Sequence, residues 1–345
     1  MSRRPASSTS TAKKVMSPRP SSSVVLLSPH NQVLLLHRVK TSSSFASAHV
    51  FPGGNLDPYH DGDIPEEGSE GRHRDGLAYR IGAIRETFEE TGILLAKKKN
   101  GDGLVEVQAD EREGARKKIH GKQIRFTDWV DSIGGTPDTD GLVPWTRWIT
   151  PTNVPKRFTT QMYLYLLPLA SSMPSEMLVP TPDDGIEHTA ATFAPAQEFL
   201  ARQQRKEIIM FPPQAYLAWH LTRFISDTAT DLDTSTRQRQ ALLDYIRRVP
   251  TGDSPRAREH ATSQIAWGDK VMSPHNLFVR GSDGRIVLGL DKPGPELKGS
   301  GQGGDWEHVV FVRFAQGGPT EVEIKDREEA LQEEKEFKAQ SESKL

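Results

Sequence analysis

The sequence predicts a mixed α/β fold with a β-rich C-terminal extension. Three observations carry that expectation. Short apolar runs of strand length, at Val24–Leu27, Val33–Leu36, Trp145–Thr150 and Gln161–Leu169, are interleaved with helical stretches. One stretch, Leu77–Thr91, keeps a clear helical period. From Gly268 to Ile324, short apolar runs alternate with Gly and Pro, the pattern of a turn-rich sheet.

The elements follow in order. Val24–Leu27 and Val33–Leu36 flank the turn residues Ser28-Pro29-His30-Asn31 and read as a hairpin. After the Ser-rich Thr41–Ser47, His49-Val50-Phe51 runs into Pro52-Gly53-Gly54, where the backbone must turn or approach a neighbour closely. Asn55–Gly76 shows no period and reads as a surface loop. Gly92 is a suitable stop for the helix, and Ile93-Leu94-Leu95 starts another strand. Lys97–Lys118 reads as an exposed helix or loop, and Gly121–Val130, Ala194–Gln204, Pro213–Ile225 and Arg237–Arg248 as helices. Ser226–Thr236 resembles a linker. The expected organisation is a disordered tail (1–22), a main domain (23–225), a C-terminal extension (226–325) and a charged tail (326–345).

Bulk properties narrow the function. Hydrophobic content of 35% and charged content of 26% over 345 residues suit a soluble globular chain with a real core. A formal net charge of −2 gives no global basic field for nucleic acid. No apolar run reaches membrane-spanning length. There is no cysteine, so disulfides, thiolate metal sites and a cysteine nucleophile are excluded. Any metal must be held by oxygen or imidazole, and an oxygen-rich site favours Mg²⁺ or Mn²⁺.

The two ends carry targeting signals of unequal strength. Residues 1–23 are rich in Ser, Thr, Arg and Lys and lack acids. That composition fits a disordered tail or a mitochondrial presequence, but Pro5, Pro18 and Pro20 oppose the amphipathic helix a presequence needs. The chain closes on Ser343-Lys344-Leu345, a peroxisomal address that an import receptor reads on an exposed tail.

The chemistry lies on Leu77–Thr91. At about 100° per residue, Leu77, Ile81, Ile84 and Phe88 fall within a stripe about 60° wide. Glu86 and Glu90 lie opposite, one turn apart on one face, with Glu89 between them and the stripe. Like charges at that spacing repel, and a bound hard cation would offset the repulsion.

Here a family resemblance enters. Arg85, Glu86, Glu89, Glu90, Gly92 and Ile93 match the second half of the Nudix box, Gly-x5-Glu-x7-Arg-Glu-U-x-Glu-Glu-x-Gly-U, where U is aliphatic. Five such fixed positions match by chance at about 10⁻⁶ per start. Thr87 departs from the aliphatic position. The insert Asn55–Gly76 separates the two halves, so counting back from Arg85 reaches Leu77 and counting forward from Gly54 reaches His60 where the first Glu belongs. Such an interruption resembles the peroxisomal coenzyme A diphosphatase branch. So do Ala48–Gly54, Arg80–Glu86, Trp148–Thr152 with Pro155–Phe158, and Pro212-Pro213-Gln214.

The resemblance implies a Nudix-type α/β/α sandwich with a mixed sheet. It implies hydrolysis of coenzyme A or acyl-coenzyme A to 3′,5′-ADP and (acyl-)4′-phosphopantetheine. The alternatives are a peroxisomal NADH or ADP-ribose diphosphatase and a non-catalytic nucleotide-binding Nudix protein. By the same resemblance Glu86, Glu89 and Glu90 ligate Mg²⁺ or Mn²⁺ and Arg85 orients a box carboxylate. Gly53 and Gly54 shape the adjoining loop, and Glu187 supplies an extra acid as the candidate base. Arg38, Lys40, Lys156 and Arg157 are the candidates for substrate phosphates. His49 reads as capping the Gly turn, and Trp145 and Trp148 as core.

Overall fold

The computed structural model describes residues 15–39, 46–169, 180, 188–226 and 231–343. Strands β1 (Arg19–Leu27) and β2 (Val33–Arg38) form the expected hairpin, followed by β3 (His49–Val50) and β4 (Gly53–Asn55). A short helix α1 (Pro58–Asp61) precedes the long α2 (Leu77–Thr91). Next come β5 (Ala96–Lys98), α3 (Ala109–His120), α4 (Phe126–Ser132) and β6 (Gly135–Pro137). The chain then returns through β7 (Val143–Ile149), β8 (Phe158–Leu166) and β9 (His188–Ala194). Helices α5 (Ala196–Gln204), α6 (Pro212–Thr222), α7 (Leu232–Arg247) and α8 (Pro255–Glu259) lead to β10 (Val271–Met272). Strands β11 (His275–Val279), β12 (Ile286–Leu290), β13 (Asp305–Ala315) and β14 (Gly318–Asp326) precede the final helix α9 (Arg327–Glu342).

Among the described residues, eight strands form one mixed sheet, in the order β10-β7-β8-β1-β2-β3, with β4 also on β1 and β9 also on β2. Strand β1 runs parallel to β8 along its whole length. Its Val24-Val25-Leu26-Leu27 is fully buried because both faces are covered, which explains a continuous apolar run rather than alternation. Val24 and Leu26 face α2, α3 and α4 through Ile84, Phe88, Ile119, Phe126 and Trp129. Val25 and Leu27 face the opposite layer, with Phe199, Tyr216, Leu221, Leu242 and Tyr245. This is an α/β/α sandwich. The second sheet, β11-β12-β13-β14, is antiparallel and adds Leu290, Val310, Val312 and Ile324 to that opposite layer's core. Residues after 226 therefore share a core with the main sheet, and β10 pairs directly with β7.

Several local expectations are corrected. Leu77 is 67% exposed, since the inward positions of the first turn are taken by Ala78 and the fully buried Tyr79. The insert 55–76 is more than surface loop: α1 and a 3₁₀ turn at Glu70–His73 order it, and His60 and Asp61 are buried. Ile93-Leu94-Leu95 is buried without pairing, and the strand starts at Ala96. Ala194 ends a strand, and Pro195 opens the following helix. In the supposed linker, Asp231 caps α7 by accepting the Thr234 N–H at 2.7 Å, so the helix begins at Leu232. The charged tail is largely helix α9, which does not simply project: Ala330 packs against Val287, Val309 and Phe311. Ser343 follows α9, and Lys344 and Leu345 lie outside the described residues.

Candidate active site

Helix α2 delivers the box residues because its buried stripe (Ile81, Ile84, Phe88) anchors it against the sheet. Gly92 ends it in the left-handed region (φ 74°), its N–H reaching the Phe88 carbonyl at 2.8 Å. Thr87, which departs from the aliphatic pattern, is fully buried. Its hydroxyl donates to the Ala83 carbonyl at 2.8 Å, so no polar group is left unpaired.

The turn Pro52–Gly54 lies directly against the helix. The Gly53 N–H donates to Glu90 Oε2 at 2.8 Å. A Cβ on Gly53 would meet the Ser22 carbonyl at 2.3 Å, and one on Gly54 would meet the Glu86 carboxyl carbon at 2.5 Å. Only glycine lets the strand lie this close to the carboxylates.

Arg85 organises the acids. It is 4% exposed and uses all five donors. Nε and Nη2 grip Asp61 in parallel at 2.8 and 2.9 Å, and Nη2 also reaches the Asn55 carbonyl at 3.1 Å. Nη1 bridges Glu86 Oε1 at 2.9 Å and Glu89 Oε1 at 2.8 Å. Burial disfavours its charge, but Glu86, Asp61 and Glu89 outweigh that and hold it protonated. Glu86 is pushed up to about 7, chiefly by burial, with Glu89 and Asp61 adding and Arg85 opposing. Glu89 is further held by His120 Nδ1 at 3.3 Å, while Arg116 caps the Glu89 carbonyl at 2.7 and 2.9 Å.

Sequence reasoning missed Asp61, Arg116 and His120. Asp61 lies one residue beyond His60, where counting along the box places an acid. Nothing in the sequence ties Arg116 or His120 to α2, because α3 reaches Glu89 only through the fold.

The substrate candidates divide. Arg38 ends β2, half-buried, and Lys156 is exposed just before β8. Lys40 and Glu187 lie outside the described residues. Arg157 is buried rather than exposed. It is 3% exposed, donates to the Thr150 and Met16 carbonyls and pairs with Glu296 at 2.5 Å, tying the start of β8 to the extension. Trp145 and Trp148 are buried in the core. His49 does more than sit beside the turn. It stacks on His37 with ring centroids 4.7 Å apart. Together with Leu35, Thr192, Phe199 and Arg202 the pair lines a cavity of about 480 Å³. Burial, then His37 and Arg202, lower the His49 pKa to about 4. Leu35 and Phe199 belong to the layer opposite α2, so this cavity lies on the other face of the sheet from the carboxylates.

The donor set on α2 fits a hard divalent cation in its chemistry. Asp61, Glu86 and Glu89 surround one guanidinium, Glu90 adds a fourth carboxylate held by the Gly53 N–H, and every donor is oxygen. Arg85 and Gly53 hold those oxygens in this structure. Among the described residues, the trios whose ligand atoms lie within 4.8 Å of one another are elsewhere: His220 with Asp305 and His308, and Asp253 with Glu307 and His308. No described helix is long and apolar enough to cross a membrane.

Residues 58–221 match the family described as the NUDT19 Nudix domain. The acyl-coenzyme A diphosphatase NUDT19 of Gallus gallus is 30% identical over 165 residues, covering 44% of this chain and 42% of that protein. Its namesake from Xenopus laevis is 27% identical over 240 residues, covering 56% and 60%. A crystal structure of a NUDIX hydrolase from Alicyclobacillus acidocaldarius overlaps 59% of this chain and 90% of that one, at 23% identity and a TM-score of 0.48. The chain spans about half the length of the curated relatives it matches, between 40% and 61%. The matched segment covers α2, its carboxylates and the insert acid Asp61, and over it the chain is similar to Nudix hydrolases of the coenzyme A diphosphatase branch.

Proposed function

We propose that this chain is a divalent-cation-dependent diphosphatase that cleaves coenzyme A or acyl-coenzyme A to 3′,5′-ADP and (acyl-)4′-phosphopantetheine. The observation that carries the reading is the carboxylate face of α2, clamped by Arg85 and laid against Gly53-Gly54. In it, Glu86, Glu89 and Glu90 hold Mg²⁺ or Mn²⁺. The cation, when bound, neutralises phosphate charge and acidifies a water. Arg85 keeps two of the carboxylates facing one way, while the turn keeps bulk away from them. Water attacks one phosphorus of the P–O–P bridge, a carboxylate takes its proton, and the bond from that phosphorus to the bridging oxygen breaks, so that the other phosphate leaves with the bridging oxygen. Glu187 is our candidate for that proton. Arg38, Lys40 and Lys156 are proposed to meet substrate phosphates.

The substrate assignment draws on the relatives named acyl-coenzyme A diphosphatases. The test incubates purified protein with Mg²⁺ and, separately, coenzyme A, an acyl-coenzyme A, NADH and ADP-ribose. Release of 3′,5′-ADP supports the reading. Cleavage of NADH or ADP-ribose with coenzyme A intact overturns the substrate, and no cleavage of any of them overturns the activity.

A further inference from the structure

A second cavity, of about 400 Å³, lies away from the carboxylates, on the stretch of sheet covered by the insert and the extension. Its walls include His73 from the insert, Arg147 and Gln161 from β7 and β8, and Ile265, Asp269 and Gln302 from the extension. Arg147 and Gln161 are direct partners across the β7–β8 ladder, and each is 1% exposed.

Arg147 is the unusual group. A buried guanidinium normally has a carboxylate partner, because an uncompensated interior charge is costly. Among the described residues none lies within ion-pair distance of Arg147. Nη1 donates to Thr159 Oγ1 at 3.2 Å and Nη2 to the Arg74 carbonyl at 2.6 Å, while the guanidinium lies over the Tyr79 ring at 4.4 Å. Tyr79 is a further side-chain hydrogen-bond partner, and none of these partners is a carboxylate. Asp75, whose field reaches Arg147, is committed to Arg80 at 2.6 Å and to the Tyr163 hydroxyl at 2.5 Å. Asp269 is exposed at the rim. Gln302 Oε1 is a buried acceptor with no partner, and His73 binds Thr159 through Nδ1 alone.

We infer that this cavity is an anion site, separate from the α2 carboxylates, that takes a small molecule bearing a phosphate monoester. Arg147 supplies a positive charge that no carboxylate within ion-pair distance neutralises, and a phosphate is the oxyanion that arginine recognises. Gln302 accepts a hydroxyl or amino group of the same ligand, and His73 closes the insert side. The volume exceeds what a bare phosphate needs and lies in the range of small-molecule sites. The site is no extension of the carboxylate centre along α2. At Gly82, between them, a Cβ would meet Leu56 at 2.5 Å, Asp61 at 3.0 Å and Ser22 Oγ at 3.3 Å, so packing closes the direct route.

The test is calorimetric titration of the full chain, without divalent cation, using inorganic phosphate, AMP and 3′,5′-ADP, with chloride at matched ionic strength as control. Saturable binding of the phosphate compounds is expected. AMP or 3′,5′-ADP should bind tighter than inorganic phosphate, and equal affinities for all three would overturn the monoester ligand. Arg147→Met should weaken binding by roughly ten- to a hundred-fold, while Glu90→Gln leaves it unchanged. If Arg147→Met does not fold, His73→Ala decides instead, with weakened binding expected. Absence of saturable binding overturns the site. So does unchanged affinity in the deciding variant, or binding lost in Glu90→Gln. Because the readout is binding without metal, its failure is distinct from failure of the diphosphatase reading.

Discussion

Asp61→Asn is the most informative perturbation of the carboxylate centre. The change is nearly isosteric, but it replaces an oxygen by an amide donor facing Arg85, which already presents donors there. Arg85 is 4% exposed and the Asp61 side chain 0%, so water cannot repair the mismatch. Breaking a buried pair from one side costs about 3–5 kcal/mol when the remaining charge is stranded. Arg85 keeps Glu86 and Glu89, so the loss should approach that of charged hydrogen bonds, about 1.5–3 kcal/mol. For a chain of 345 residues that corresponds to a melting midpoint lower by about 2–4 °C. A second effect should follow. Without Asp61, Arg85 leans harder on Glu86 and Glu89, and more Mg²⁺ is needed for half-maximal activity. Thermal unfolding and a Mg²⁺ activation curve read the two effects. Glu70→Gln, which breaks an exposed pair with Arg74 within the same insert, is the control and should change neither. An Asp61→Asn protein with wild-type melting and wild-type Mg²⁺ dependence would refute the reasoning.

Three further outcomes follow from the same geometry. Glu90→Gln keeps an acceptor for the Gly53 N–H but loses the charge, so turnover should fall at least about 100-fold with the circular dichroism spectrum and melting little changed; undiminished turnover removes Glu90 from the metal set. Gly54→Ala places a methyl 2.5 Å from the Glu86 carboxyl carbon, and a displacement of about 1 Å there should lower kcat about 100-fold, measured beside Mg²⁺ affinity. His49 and His73 are each lowered to about 4, by burial first. Between pH 6.5 and 4 the unfolded chain thus binds more protons than the folded one. Their contribution is intact above pH 6.5 and is lost as pH falls toward 4. The double variant His49→Gln, His73→Gln should show a flatter melting profile across that window, and an equally steep profile would count against it.

Much of the layered fold was legible because its signals are local. The hairpin β1–β2, the period of α2 and the Gly/Pro-punctuated C-terminal strands each depend on neighbours in sequence. Other elements escaped for equally physical reasons. The start of α7 rests on one capping carboxylate, Asp231, with no apolar period to announce it. The ordering of the insert rests on Asp61, whose partner is 24 residues away.

The sequence by itself determined the chemistry of the centre. The spacing of Arg85, Glu86, Glu89 and Glu90 specifies which carboxylates share a helix face, because helical geometry is the same wherever the helix is placed. Gly53-Gly54 signals a close approach, since only glycine tolerates it. Tertiary structure alone decided what those groups touch. It assigned Asp61 to Arg85, turned Arg157 inward to Glu296, and buried Arg147 beside a cavity with no carboxylate in ion-pair distance among the described residues. Those outcomes depend on which strands and loops meet across the sheet, and charge, residue type and spacing carry no record of that meeting.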